Sequence, residues 1–206
     1  RTTVWLINDE DETRRHAVDQ LLPDKVSIRT LVSYKFQSNL PLQRLQYDLL
    51  QSGPALLWAR VPGHATSNLQ NRTTRQRLDM ITTLTNLQQQ RQRHVLLEVC
   101  GPVARDYMVD NTGLPATTIK WCNLGLFHPQ SNRPIGSNTI IITNIQLPNL
   151  GSCLCGNFVS EHLLKASYEA IRNVQVHQQL LQTFQIMLAA LAFNSIVRNP
   201  TIEITQ

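Results

Sequence analysis

Two kinds of hydrophobic pattern alternate along the first half of the chain. Short runs that are almost entirely apolar are typical of buried strands. Longer runs with apolar residues three or four positions apart are typical of amphipathic helices. Strands are therefore predicted at residues 3–7, 25–32, 55–58 and 94–99. Helices are predicted between them, at residues 9–22, 41–50 and 72–92, with a shorter one before residue 114.

The second half of the chain continues with two strands and two helices. Strands are predicted at residues 118–127 and 138–144, separated by the turn-rich segment HPQSNRPIGS, and helices at 160–172 and 175–197. Alternating strands and helices predict an α/β fold with a mostly parallel central sheet and helices on both faces. Because the last two strands are joined without a helix, we expect an antiparallel pair at one edge.

Composition sets limits on the class of protein. The chain has 206 residues, 42% of them hydrophobic, which is enough for one domain with its own core. Its formal net charge of +5 permits an acidic partner such as DNA or RNA without requiring one. Four cysteines are too few for a disulfide scaffold, so a reducing, intracellular compartment is expected. The chain has no apolar run of about 18 residues, which predicts that it does not span a membrane.

Three motifs follow one another with a recognisable order and spacing. They are the loop Val61-Pro62-Gly63 after a strand, Glu98 at the end of the next strand, and a block running from Trp121-Cys122 to Cys153-Leu154-Cys155-Gly156. Over about residues 50–170 this order resembles the cytosine-5 DNA methyltransferase-like domains, especially the divergent ones of mobile-element polyproteins. The resemblance implies a Rossmann-like three-layer sandwich, which we assign to residues 1–172. Residues 173–206 are predicted from their own pattern to be a C-terminal helical extension that packs on the domain or on a partner.

The resemblance also implies which residues would carry catalysis. The family attacks the base with a cysteine in a Pro-Pro-Cys loop and holds the base edge with a glutamate. In this chain Pro62 and Glu98 match, but Gly63 stands where the nucleophile belongs. Such folds bind S-adenosylmethionine with a glycine-rich loop after the first strand, which lets the backbone approach the cofactor closely. In this chain the matching segment, from Ile7 to Glu12, has four carboxylates and no glycine. We therefore expect a vestigial cleft that does not bind this cofactor.

The predicted function is that of a non-catalytic, methyltransferase-like module that binds or scaffolds a partner. It would associate with nucleic acid or form part of a larger assembly. Two alternatives remain open at this level. One is an S-adenosylmethionine-dependent methyltransferase with altered chemistry that acts on nucleic acid. The other is a structural subunit of an oligomer assembled through the C-terminal helix.

Cysteine and histidine residues suggest a metal site in the late block. Thiolates and imidazole suit tetrahedral Zn²⁺, and four such residues would meet where the late strands join the next helix. They are Cys122, Cys153, Cys155 and His162. The alternative is that the cysteines are small buried side chains near a surface histidine.

Arginines cluster at both ends of the helix predicted over residues 72–92. If they shared one face they could contact the phosphates of a nucleic acid. The alternative is an ordinary solvated helix. The candidates are Arg72, Arg75, Arg77, Arg91 and Arg93.

The C-terminal segment is unusual for its lack of charge. Residues 173–197 contain no Asp, Glu, Lys or Arg, while glutamines recur on one side and apolar residues on the other. Such an amphipathic helix either packs on the domain's own sheet or forms an interface with a protein partner or a second copy through residues 174–197. Its polar face lacks the basic residues that favour a membrane surface.

Overall fold

The computed structural model describes residues 2–8, 15, 26–31, 39–61, 69, 71–99, 101–120, 122, 133 and 138–145. Within them lie six strands and three helices. The strands are β1 (Thr2–Ile7), β2 (Val26–Leu31), β3 (Leu56–Val61), β4 (His94–Val99), β5 (Ala116–Lys120) and β6 (Asn138–Thr143). The helices are α1 (Asn39–Ser52), α2 (Arg72–Gln90) and α3 (Pro102–Thr112).

All six strands form one mixed sheet in the order β2-β1-β3-β4-β6-β5. Strands β2, β1, β3 and β4 are parallel to one another. Strand β6 is antiparallel to both of its neighbours, β4 and β5. The pair β5–β6 therefore lies at one edge as expected, but the reversed strand is β6, in the second position, and the edge strand β5 runs with the parallel set.

The three helices pack on the same face of the sheet. The connections from β2 to β3, from β3 to β4 and from β4 to β5 all advance in one direction across the sheet. Right-handed crossovers place such connections on one side. A single core cluster accordingly joins apolar side chains of α1, α2 and α3 to alternate residues of the strands, such as Leu57, Val95 and Leu97.

Local sequence signals explain where two of the helices begin and end. At the start of α2, the side chain of Asn71 accepts hydrogen bonds from the backbone N–H groups of Thr73 and Thr74, at 3.0 and 3.2 Å. This satisfies donors that the first turn of a helix leaves without partners. Helix α3 has Pro102 in its first turn and ends at Gly113, whose φ of 70° is a left-handed conformation that glycine adopts without strain.

A buried amide holds the end of α2 against the amino ends of two strands. Gln88 is fully buried, and its side-chain N–H groups donate to the carbonyl oxygens of Pro54 at 2.6 Å and His94 at 3.3 Å. Pro54 precedes β3 and His94 begins β4. The carboxyl end of α2 therefore lies at the amino ends of the strands, and its amino end lies toward their carboxyl ends.

The α/β architecture expected from the sequence is confirmed in outline as a roughly Rossmann-like mixed sheet. The described helices form one layer beside the sheet. The helices predicted at 9–22, 160–172 and 175–197, which a third layer would need, lie outside the described residues apart from Arg15. The strand predicted over 118–127 differs from the structure, since β5 begins at Ala116 and ends at Lys120.

Candidate functional site

The carboxyl ends of β1, β3 and β4 form the region where the sequence placed a vestigial cleft. The chain passes from β1 to β2 in one direction across the sheet and from β3 to β4 in the other. Open α/β sheets bind ligands in the crevice at such a switch point, outside the carboxyl ends of the strands. Strands β1 and β3 border that crevice here, with β4 next to β3.

Asn8 bridges the two strands that border the switch point. Its backbone N–H donates to the carbonyl oxygen of Leu31 in β2 at 2.8 Å. Its side-chain amide nitrogen Nδ2 donates to the carbonyl oxygen of Arg60 in β3 at 2.9 Å. Asn8 has a φ of 62°, a left-handed conformation that asparagine tolerates better than most residues. The side chain of Asn8 thus links the carboxyl end of β1 to β3.

Glu98 is paired within the domain. Arg60 and Glu98 are register partners on the parallel strands β3 and β4. The Nε of Arg60 lies 3.7 Å from Oε2 of Glu98, and the two side chains are 35% and 14% exposed. A partly buried carboxylate needs a compensating charge, and the neighbouring strand supplies one. The Glu98 carboxylate therefore lies beside the guanidinium of Arg60, near the carboxyl ends of β3 and β4.

The other two residues of the predicted cleft, Pro62 and Gly63, lie outside the described residues. The absence of a nucleophile at position 63 is therefore a property of the sequence. The sequence placed Asn8 in the segment 7–12 at the cofactor end without assigning it a role, and it did not identify Arg60 as a member of this region. The available signals were a polar residue directly after β1 and an arginine near the end of an otherwise apolar strand.

Three of the four residues of the predicted zinc site lie outside the part of the chain that the structure describes. Cys122 is buried, whereas Cys153, Cys155 and His162 lie beyond the described residues. Among the residues that the structure describes, no group of three or more potential metal ligands occurs. The zinc site stays a prediction.

The arginines at the two ends of α2 are well separated. Arg72, Arg75 and Arg77 lie in its first two turns, while Arg91 and Arg93 follow its last residue. A 19-residue helix is about 28 Å long, so the two groups do not form one compact patch. The amino-terminal group lies toward the carboxyl ends of the strands, and the other group lies at the opposite end.

Arg91 contacts helix α1. Its guanidinium Nη1 donates to the carbonyl oxygen of Leu49 at 2.7 Å and also to that of Leu50. These carbonyls belong to the last turn of α1, where helical partners are missing and the dipole attracts positive charge. Arg91 therefore caps a helix of its own domain, whereas Arg93 is exposed.

Arg75 belongs to a cluster between α2 and α3. Its Nε lies 3.6 Å from Oδ1 of Asp79, and its guanidinium lies 5.2 Å from the ring centre of Tyr107. The hydroxyl of Tyr107 donates to Asp79. Burial raises the pKa of Tyr107 above its usual value, and the hydrogen bond to Asp79 raises it further while Arg75 opposes the shift. Arg72 is exposed and forms no ion pair with another described residue.

The charge-free segment 173–197 lies outside the described residues. None of the helices in the described part of the chain combines the length and the hydropathy that crossing a bilayer requires. Comparison with known proteins gave no match to a family model, a curated protein or a solved structure.

Proposed function

We propose that the chain is a non-catalytic, methyltransferase-like module that binds nucleic acid. The observation that carries this proposal is the Arg60–Glu98 ion pair at the carboxyl ends of β3 and β4. In the methyltransferases that the sequence resembles, the matching glutamate holds and protonates the base. A glutamate already paired to an arginine of the next strand would have to give up that partner first, which costs desolvation and pairing energy.

The second line of support is the lack of a nucleophile in the sequence motif and the hydrogen bond of Asn8 at the switch point. Gly63 occupies the position of the nucleophile in the sequence and has no side chain that could add to a base. The Asn8 side chain bridges β1 to β3 at the switch point, where a bound cofactor would otherwise contact the strand ends. These features favour binding without methyl transfer.

The preference for nucleic acid rests on charge. The chain carries a net charge of +5, and Arg72, Arg75 and Arg77 are grouped at the end of α2 that lies toward the carboxyl ends of the strands. Of these, Arg72 is the exposed side chain best placed to contact a phosphate. The ion pair of Arg75 with Asp79 is about half-exposed and therefore weak enough to open toward one.

Equilibrium binding to fluorescent single- and double-stranded DNA and RNA tests the proposal. Affinity is expected to fall as salt rises from about 50 to 200 mM, because released counterions drive phosphate binding. Arg72→Gln should lower the affinity and reduce the salt slope by about 1. Arg93→Gln, at the opposite end of α2, and Arg44→Gln, on α1, remove the same charge from exposed positions and should have smaller effects. Absence of salt-dependent binding to every nucleic acid would contradict the proposal.

A further inference from the structure

Asp79 lies between a guanidinium and a phenol on the surface of the domain. Its Oδ1 is 3.6 Å from Nε of Arg75, one turn earlier on α2, and it accepts a hydrogen bond from the hydroxyl of Tyr107 on α3. Arg75 in turn lies over the ring of Tyr107, 5.2 Å from its centre. Tyr107 therefore contacts both members of the ion pair.

Tyr107 holds the carboxylate of Asp79 beside the guanidinium. It is partly buried and packs against the core cluster, so the fold sets the position of its hydroxyl. The side chains of Arg75 and Asp79 are 54% and 53% exposed. An exposed carboxylate normally moves freely in water, but here the hydrogen bond from α3 restrains it. Asp79 thus acts as an internal anion that occupies Arg75.

The ion pair is nonetheless easy to open. Exposed ion pairs contribute little to stability because water and salt screen them. On a helix, an acidic residue four positions before a basic one pairs better than the reverse order, and here Arg75 precedes Asp79. The dipole of α2 also favours an anion near Arg75, in the first turn, over one further along at Asp79. A phosphate can therefore replace the carboxylate as the partner of Arg75.

We propose that Asp79 competes with phosphate for Arg75, so that the site formed by Arg72 and Arg75 takes a chain of phosphates rather than an isolated one. This inference rests on the proposed nucleic-acid binding. Arg72 is exposed and three positions before Arg75, and such residues are neighbours on a helix, with Cβ atoms about 5–6 Å apart. A backbone held by Arg72 presents its next phosphate to Arg75 at high local concentration, which an isolated phosphate does not.

A double-mutant cycle with fluorescent DNA tests the competition. Wild type, Asp79→Asn, Arg75→Gln and the double variant are compared at one salt concentration. Asp79→Asn keeps an oxygen that can accept from Tyr107 but loses the charge, so it should tighten binding about two- to five-fold. In the Arg75→Gln background the same substitution should have much less effect, because the arginine that it releases is absent. An equal gain in both backgrounds would overturn the proposal, since Asp79 would then act only as a general negative charge.

Asp110→Asn is the matched control for the loss of charge. It removes one carboxylate from an exposed position on α3, one turn beyond Tyr107, and should change the affinity much less than Asp79→Asn. If wild type binds DNA but Asp79→Asn gives no gain over this control, the competition is wrong and nucleic-acid binding is not affected. If none of the proteins binds DNA or RNA in a salt-dependent way, the proposed function fails and this inference fails with it.

Inorganic phosphate tests the preference for a chain of phosphates without any substitution. It should displace labelled DNA from the wild-type protein no better than chloride at the same ionic strength. Stronger displacement by phosphate would overturn the proposal, because an isolated anion would then reach Arg75 despite Asp79.

Discussion

The side chain of Asn8 donates a hydrogen bond to the carbonyl oxygen of Arg60 across 52 residues of sequence. Two requirements meet at this position: the backbone adopts a φ of 62°, and the amide bridges β1 to β3. Substitutions can separate them, because glycine accepts the backbone conformation while alanine does not.

Asn8→Gly should therefore lose the side-chain hydrogen bond to Arg60 without adding backbone strain, and we expect the unfolding free energy to fall by about 1 kcal/mol. Asn8→Ala loses the same bond and adds backbone strain, so it should cost about 1 kcal/mol more than the glycine variant. Urea denaturation of both variants measures the difference. Equal stability of the two variants would contradict the left-handed conformation of Asn8.

Local patterns in the sequence were sufficient to predict most of the described helices and strands. Strand β4 was predicted over residues 94–99 and has those bounds, because a short apolar run after a polar helix leaves little ambiguity. Helix α2 was predicted over 72–92 and spans Arg72–Gln90. Its Gln88 was not expected to be buried, since only the strand ends that it contacts make a buried amide favourable.

The hydrophobic pattern of the sequence does not predict which distant segments of the chain contact each other. Hydrophobic periodicity does not reveal that β6 inserts between β4 and β5, because strand order depends on pairing between distant segments. For the same reason Arg91 was interpreted as a phosphate ligand, although its partners are carbonyls of α1 more than 40 residues away. Glu98 was located correctly at a strand end, but its partner Arg60 was not predicted.

Gln88 should be one of the most sensitive positions on α2. Gln88→Met keeps the approximate volume but leaves the buried carbonyls of Pro54 and His94 without these donors, which should cost about 1–3 kcal/mol. Gln88→Ala adds a cavity and should cost more. Gln90→Ala, at an exposed position two residues further along, is the matched control and should change stability by less than about 0.5 kcal/mol. If Gln88→Met matched the wild-type unfolding free energy, the bridging role would be wrong.

Arg91 should affect stability rather than nucleic-acid affinity. Removing its side chain leaves the carbonyls of Leu49 and Leu50 without their cap, so Arg91→Ala should lower the unfolding free energy by about 1–2 kcal/mol. Arg93→Ala, an exposed neighbour, should be nearly neutral. Chemical denaturation and nucleic-acid binding are measured on the same preparations. A loss of affinity in Arg91→Ala without a loss of stability would instead assign the side chain to the nucleic acid.

Tyr107 should ionise at higher pH than an exposed tyrosine. Its pKa is raised first by burial and then by the hydrogen bond to Asp79. The neutral form is thus favoured in the folded state, and the stabilisation is present below the unfolded pKa of about 10 and is lost as pH rises through the higher folded pKa. The difference in ultraviolet titration between wild type and Tyr107→Phe should show a midpoint above the ordinary value.

Asp79→Asn provides the control for this assignment. It removes the charged acceptor but not the burial, so the pKa of Tyr107 should move only part of the way back toward its ordinary value. A wild-type midpoint at or below the ordinary tyrosine value would show that the hydroxyl is not held between α2 and α3.

Calorimetric titration of the full chain with S-adenosylmethionine tests the central claim most directly. Since Asn8 bridges β1 to β3 and Arg60 pairs with Glu98 at the switch point, we predict no saturable heat up to millimolar cofactor. Saturable binding in the micromolar range would contradict the account, because it would require a cofactor site at the strand ends and would restore methyl transfer as the function.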